Sequence, residues 1–102
     1  MDINHGFHAT MTAQPGKGDA LVELLLNAPA LSNSDCVVFL VGRSAANSDV
    51  VFVTEGWTSQ EAHGRFFASE AAKAYIAQFG PLVDGDAQYV DEVPVGGKAA
   101  IK

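Results

Sequence analysis

The sequence predicts an α+β fold of the ferredoxin-like type, with the element order β-α-β-β-α-β and one antiparallel sheet. Two segments, 6–13 and 86–93, alternate apolar with polar residues, which is the period of a strand with two different faces. Two β-branched and aromatic runs, 36–43 and 49–57, are joined by a short polar link and predict an antiparallel hairpin. Two stretches with helical spacing separate these strands in the order that the fold requires.

The first predicted helix occupies residues 20–27 and is followed by Pro29. Asp19 directly precedes it and is predicted to cap its first turn. Its apolar stripe consists of Leu21, Leu24 and Leu25. This helix is expected to cover one face of the sheet.

The second predicted helix begins at Thr58, because Thr58 and Glu61 have the spacing of a capping box. It runs to about Gln78 and ends before Gly80-Pro81. Ser69 lies in its middle and is expected to break it in two.

The two hairpin strands do not alternate, since residues 37–41 and 50–53 are apolar at both parities. Two helices cover only one face of a sheet, so the other face is predicted to expose an apolar patch. A twofold contact is the commonest way for such a patch to bury itself. The sequence therefore predicts a homodimer that associates through the sheet face.

Composition predicts one domain spanning 1–102, with a core at about 6–93 and a tail at 94–102. The net charge is −6 and the six basic residues are scattered, which argues against a nucleic-acid partner. The single cysteine, Cys36, lies in an apolar run, so neither a disulfide framework nor a metal site is expected. The chain shows no signal peptide and no run of membrane-spanning length, which predicts a cytoplasmic protein.

The stretch EGWTSQEAH, residues 55–63, is the strongest candidate site. Glu55 and Trp57 are two apart on a strand and share a face, and His63 follows in the next helix. The three side chains would line a small pocket for a flat phenolic ligand if Trp57 faces the helices. The alternatives are a tryptophan that fills the core with its N–H bonded to backbone, and a histidine at the surface.

Several short features in register resemble the antibiotic biosynthesis monooxygenase (ABM) family, over residues 6 to about 93. They are Pro15-Gly16 before the first helix, Cys36 at the start of the second strand, the Glu55-x-Trp57 corner, Ser59, and Lys73-Ala74-Tyr75 in the second helix. The resemblance implies a dimeric α+β barrel, with a pocket between sheet and helices in each subunit. It also implies oxygenation of a quinol, anthrone or similar phenol with molecular oxygen as co-substrate and without a cofactor.

On this resemblance, Glu55 or His63 would assist deprotonation of the substrate beside Trp57, which makes these three the expected catalytic residues. Trp57, Phe66 and Phe67 would clamp the ring, and Arg43 or Tyr75 would hold a substrate oxygen. Many relatives carry a helix histidine three positions after His63, where this chain has Phe66.

Two other functions stay open on the sequence alone. One is a dimeric domain of the same fold that binds a small apolar ligand without turnover. The other is a haem-degrading relative, whose asparagine and histidine would correspond to Ala9 and Ile76 here. Neither replacement can ligate iron, so a haem function is not expected.

Overall fold

The computed structural model describes residues 3–98. Within this range four strands and three α-helices follow one another, with a 3₁₀ turn at Pro29–Ser32. The elements are β1 (His5–Thr12), α1 (Gly18–Leu26), β2 (Cys36–Arg43), β3 (Val50–Trp57), α2 (Gln60–Phe67), α3 (Glu70–Ile76) and β4 (Gln88–Glu92). The strands form one antiparallel sheet in the order β2-β3-β1-β4. The predicted ferredoxin-like fold is confirmed.

The core lies between one face of the sheet and the helices. The register pairs Ala9 with Val53 and Met11 with Val51, so that alternate residues of β1 and β3 point to the same side. Leu21 of α1 packs against them and is fully buried, as is Val51. Burying an aliphatic side chain of this size stabilises a fold by about 1.5–3 kcal/mol.

The cap of α1 differs from the prediction. The helix begins at Gly18, and Asp19 lies inside its first turn without capping it. The carboxylate of Asp49 accepts hydrogen bonds from the backbone N–H groups of Gly16 and Gly18, at 3.1 and 3.0 Å. The cap therefore comes from the residue that directly precedes β3. A Cβ at Gly18 would collide with the Ser48 carbonyl oxygen, so this close approach requires glycine.

The second helical stretch is broken at Ser69, as predicted. Ser69 caps α3 by accepting a hydrogen bond from the Ala72 N–H at 3.1 Å. The predicted capping box at Thr58 is wrong by one residue, because Ser59 caps α2 and accepts from the Ala62 N–H at 3.0 Å. The Thr58 hydroxyl instead donates to Asp35 at 2.8 Å.

The opposite face of the sheet carries apolar side chains without cover from a helix. Leu40, Phe52 and Val90 are 49%, 43% and 65% exposed there. Polar residues interrupt the patch: His8 contacts Thr54 at 3.2 Å and Glu92 at 3.0 Å. Residues 3–98 of the single chain thus leave open the face that the homodimer prediction requires.

At one edge of the sheet, β4 pairs only with β1 within the described residues. All five of its residues are exposed. The tail that follows is described as far as residue 98, and the rest of its predicted span, 99–102, lies outside the described residues. Among residues 3–98, no helix has both the length and the apolar character needed to cross a bilayer.

A candidate active site between sheet and helices

A cavity of about 570 Å³ lies between the core face of the sheet and the helices. Its walls are mostly apolar and include Phe7 and Met11 of β1, Phe39 of β2 and Phe79 after α3. This volume is within the range of small-molecule sites in proteins. Six titratable side chains also line it: Glu55, His63, Tyr75, Asp86, Tyr89 and Asp91.

Glu55 is the carboxyl group that β3 places in this apolar cavity. Burial raises its pKa to about 7, and a hydrogen bond from Trp57 opposes that rise. The Trp57 Nε1–H donates to Glu55 Oε1 at 2.9 Å. A carboxyl with a pKa near neutrality exchanges a proton readily at physiological pH, which suits a general base.

Trp57 is fully buried and does not line the cavity. It lies beneath the site and contacts it only through its neighbours, with its ring centroid 5.0 Å from that of His63 and 5.2 Å from that of Phe66. The expectation that the indole N–H bonds to backbone is wrong, because its partner is the Glu55 carboxylate. Trp57 is therefore placed to hold Glu55 in position rather than to touch a ligand.

His63 lines the cavity from α2 and packs among aromatic rings. Its ring centroid lies 5.2 Å from that of Phe7 and 6.1 Å from that of Phe67. Burial lowers the pKa of His63, nearby His5 lowers it further, and Asp91 opposes both. The imidazole is therefore neutral at pH 7 and can accept a proton.

Tyr75 lines the cavity from α3, and its hydroxyl is buried without a hydrogen-bond partner among residues 3–98. Burial and the nearby Glu55 carboxylate raise the pKa of this phenol, so it is protonated at neutral pH. A buried hydroxyl without a partner is costly. A ligand oxygen in the cavity would satisfy it.

Phe66 and Phe67, the expected ring-clamping residues, both line the cavity. Phe66 is partly buried against Trp57, whereas Phe67 is 56% exposed at the surface. The two phenylalanines thus form an inner and an outer part of the same wall.

Arg43 is a correction to the predicted site. It does not line the cavity; its guanidinium pairs with Asp19 at 2.8 Å and its Nε–H donates to the Ser48 carbonyl at 2.6 Å. Its position at the end of β2 is four residues beyond Phe39, the residue paired with Glu55. That separation is about 13 Å along a strand.

The sequence also matches a known protein family. The sequence model described as "Antibiotic biosynthesis monooxygenase" matches residues 5–78, most of the chain. The chain belongs to the antibiotic biosynthesis monooxygenase family. No curated protein matches the sequence.

Solved structures resemble this ABM domain over nearly its whole length. A candidate antibiotic biosynthesis monooxygenase of Chloroflexus aurantiacus is 30% identical, with a TM-score of 0.83 over 93% of this chain and 96% of that chain. Another, from Caulobacter crescentus, is 26% identical with a TM-score of 0.81 and 92% of each chain covered. A third, from Deinococcus radiodurans, has 22% identity and a TM-score of 0.76 over 96% of this chain and 98% of that chain, a likeness that shows the fold alone.

Ala9 and Ile76, the positions compared above with haem-degrading relatives, both line the cavity of this ABM domain. Neither side chain can ligate iron or donate a hydrogen bond to a haem propionate. Among residues 3–98, no group of three or more histidine, cysteine or carboxylate side chains is arranged to hold a metal ion. Ala9 and Ile76 therefore do not supply the side chains that the haem-degrading relatives use at these positions.

Three cavity residues that the sequence did not single out are Phe39, Tyr89 and Asp91. Strand alternation in the sequence predicts that Tyr89 and Asp91 share a face, because they are two apart on a predicted strand. Pairing puts Tyr89 opposite Ala9 and Asp91 opposite Phe7. Only this register shows that their shared face is the cavity side.

Proposed function

We propose that this ABM domain is a monooxygenase that oxidises a small electron-rich aromatic, such as a quinol, an anthrone or a related phenol, with molecular oxygen and without a cofactor. The observation that carries the proposal is a carboxyl group of near-neutral pKa, Glu55, in the wall of an apolar cavity of about 570 Å³. Membership of the family supports the reaction class.

Glu55 is the general base in this proposal. Its carboxylate takes the proton of the substrate hydroxyl or of the acidic ring carbon, and a substrate anion forms beside a neutral carboxyl. A positioned base of this kind contributes about 10²–10⁴-fold to rate. His63, neutral at pH 7, is the second proton acceptor at the same cavity.

The anion then reduces oxygen itself. One electron passes from the anion to O₂, and the resulting substrate radical and superoxide combine to form a carbon–oxygen bond. The peroxide gains the proton held by Glu55 and then loses water, which breaks the O–O bond and leaves a carbonyl on the ring. For an anthrone, one ring carbon loses two hydrogens and gains one oxygen atom, and the second oxygen atom leaves as water.

The cavity walls support this chemistry by holding the ring flat and keeping water away from the anion. Phe66 and Phe67 form one wall, and the Tyr75 hydroxyl is available to donate a hydrogen bond to a substrate oxygen. A donor aimed at an oxygen that gains negative charge favours the anion over the neutral substrate.

The proposal includes a homodimer formed through the uncovered sheet face. Leu40, Phe52 and Val90 form an apolar patch on this face, and a second copy of the chain would bury it.

The test is oxygen uptake by metal-stripped protein with a panel of hydroquinones and anthrones, after subtraction of autoxidation without protein. Wild-type protein is expected to exceed this background, and Glu55→Gln to lose at least about 100-fold of the excess rate. Glu23→Gln, an exposed charge on α1, is the matched control and should keep full activity. No uptake across the panel, with ligands still raising the melting temperature, would replace the proposal with a binding domain without turnover.

A further inference from the structure

The charges around the cavity are of one sign. Glu55 enters from β3, Asp91 from β4 and Asp86 from the loop before β4. The other titratable groups of the wall are neutral at pH 7, because the pKa of His63 is lowered and the pKa values of Tyr75 and Tyr89 are raised.

The described part of the chain brings no lysine or arginine into the cavity wall. Arg43 is paired with Asp19 at the far end of β2. Lys73 extends toward Glu70 at 3.8 Å, and Arg65 lines a shallow surface depression beside Asp35 and Ser69. An anionic group on a ligand would therefore meet carboxylates and no countercharge from residues 3–98.

We infer that this cavity selects aromatic ligands without an anionic substituent, and discriminates against their carboxylated or sulfated derivatives. As a statement about substrates it rests on the proposed function, whereas as a statement about binding it stands on the cavity alone. Its occupants would be uncharged polyphenols or quinols, or ones bearing a positive charge.

The physical reason has two parts. A carboxylate moved into an apolar cavity loses its hydration and must find donors, and Tyr75 supplies one neutral hydroxyl. The same carboxylate is also repelled by Asp86 and Asp91, which line the cavity from solvent-exposed positions.

The proposed reaction fits the same selectivity. Proton transfer from substrate to Glu55 moves one negative charge within the cavity and leaves the total charge unchanged. A substrate that brings a second negative charge would raise the energy of the anion on which oxygen acts. Acidic derivatives should therefore both bind weakly and react slowly.

The experiment compares two probes that differ in charge but share a hydroxynaphthalene ring: 6-hydroxy-2-naphthoate and its methyl ester. Binding to the full chain is measured by isothermal titration calorimetry at pH 7, without oxygen. The ester, although larger, is expected to bind about tenfold more tightly than the acid. Equal affinity, tighter binding of the acid, or no binding of either compound would overturn the inference.

Charge-neutralising variants assign the effect to the cavity. The double variant Asp86→Asn, Asp91→Asn is expected to narrow the difference between the probes several-fold, mainly through tighter binding of the acid. Asp84→Asn removes a charge from the same loop at a residue that does not line the cavity, and should leave the difference unchanged. If Asp84→Asn narrows the difference by half as much as the double variant, in proportion to the charge removed, net charge alone is responsible, which contradicts the inference.

The binding result and oxygen uptake separate the two proposals. Tighter binding of the ester, without oxygen uptake from any hydroquinone or anthrone, would contradict the proposed monooxygenase activity and support the charge selectivity. Equal rates of oxygen uptake with neutral and with carboxylated hydroquinones would support the proposed monooxygenase activity and contradict the charge selectivity.

Discussion

The indole N–H of Trp57 donates a hydrogen bond of 2.9 Å to the Glu55 carboxylate, and the two residues stand two apart on one strand. Glu55 lines the cavity while Trp57 is fully buried behind it. The only tryptophan of the chain is thus a positioning residue for a carboxyl group in the cavity wall. This arrangement separates the residue that meets a ligand from the residue that sets its geometry and acidity.

Replacing Trp57 with phenylalanine removes the N–H and keeps an aromatic ring. Because the hydrogen bond stabilises the charged carboxylate, its loss should raise the pKa of Glu55 further above about 7. The pH profile of oxygen uptake should shift toward higher pH in Trp57→Phe. Phe66→Leu, which changes the ring packed on Trp57 without touching the hydrogen bond, should change the rate but leave the inflection in place. An unmoved inflection in Trp57→Phe would show that Trp57 does not act through Glu55.

Glu55 should make the fold less stable as pH rises. Its carboxyl has a pKa of about 7 when folded and an ordinary value of 4.5, so the folded chain binds this proton more tightly than the unfolded chain. The stabilising contribution is complete below pH 4.5 and is lost as pH rises through 7. Glu55→Gln carries no charge, so its stability relative to wild type should increase by about 3 kcal/mol between pH 4.5 and 9.

Urea unfolding of both proteins at these two pH values measures this difference. Glu23→Gln is the matched control, for which the difference from wild type should stay flat. A Glu55→Gln protein whose relative stability does not change with pH would contradict the raised pKa.

The cap of α1 gives a prediction that distinguishes two aspartates. Asp49→Ala leaves the N–H groups of Gly16 and Gly18 without their acceptor and should lower the free energy of unfolding by about 1–2 kcal/mol. Asp19→Ala removes only a surface pair with Arg43 from a side chain that is 92% exposed, and should cost less than about 0.5 kcal/mol. Urea unfolding of both variants measures the two losses in free energy of unfolding. Equal losses would contradict the assignment of Asp49 as the main cap of α1.

The proposed dimer predicts opposite results for two leucines of similar exposure. Leu40 is 49% exposed on the uncovered sheet face, and Leu31 is 51% exposed in the 3₁₀ turn. Leu40→Glu should give a monomer in sedimentation at micromolar concentration, because it would bury a charge in the interface. Leu31→Glu should sediment like wild type. A wild-type chain that is monomeric at this concentration would contradict the dimer.

The sequence predicted the features that depend on local pattern. The hairpin follows from two β-branched runs across a short link, and the helix break follows from Ser69, a residue that caps helices well. Glu55 and His63 were placed at one pocket because strand and helix periodicity put both on the side of the core.

The errors came from contacts between distant parts of the chain. Thr58 was a reasonable cap, but Asp35 takes its hydroxyl and the adjacent Ser59 caps α2 instead. Strand alternation puts Arg43 and Glu55 on the same face of the hairpin. Arg43 nevertheless lies at the opposite end of the strands, and alternation alone does not give the distance along a strand. The neighbours of Glu55 depend on strand register, and no single segment contains that information.

The wall of the cavity that carries Tyr89 and Asp91 is also the sheet's most exposed strand. A short edge strand with every residue exposed is where local unfolding is expected to cost least. Transient separation of β4 from β1 would therefore open this wall of the cavity at the lowest cost, with the helices remaining packed. Occupation of the cavity should then slow amide hydrogen exchange first in β4, so that the outermost strand of the sheet reports on its interior.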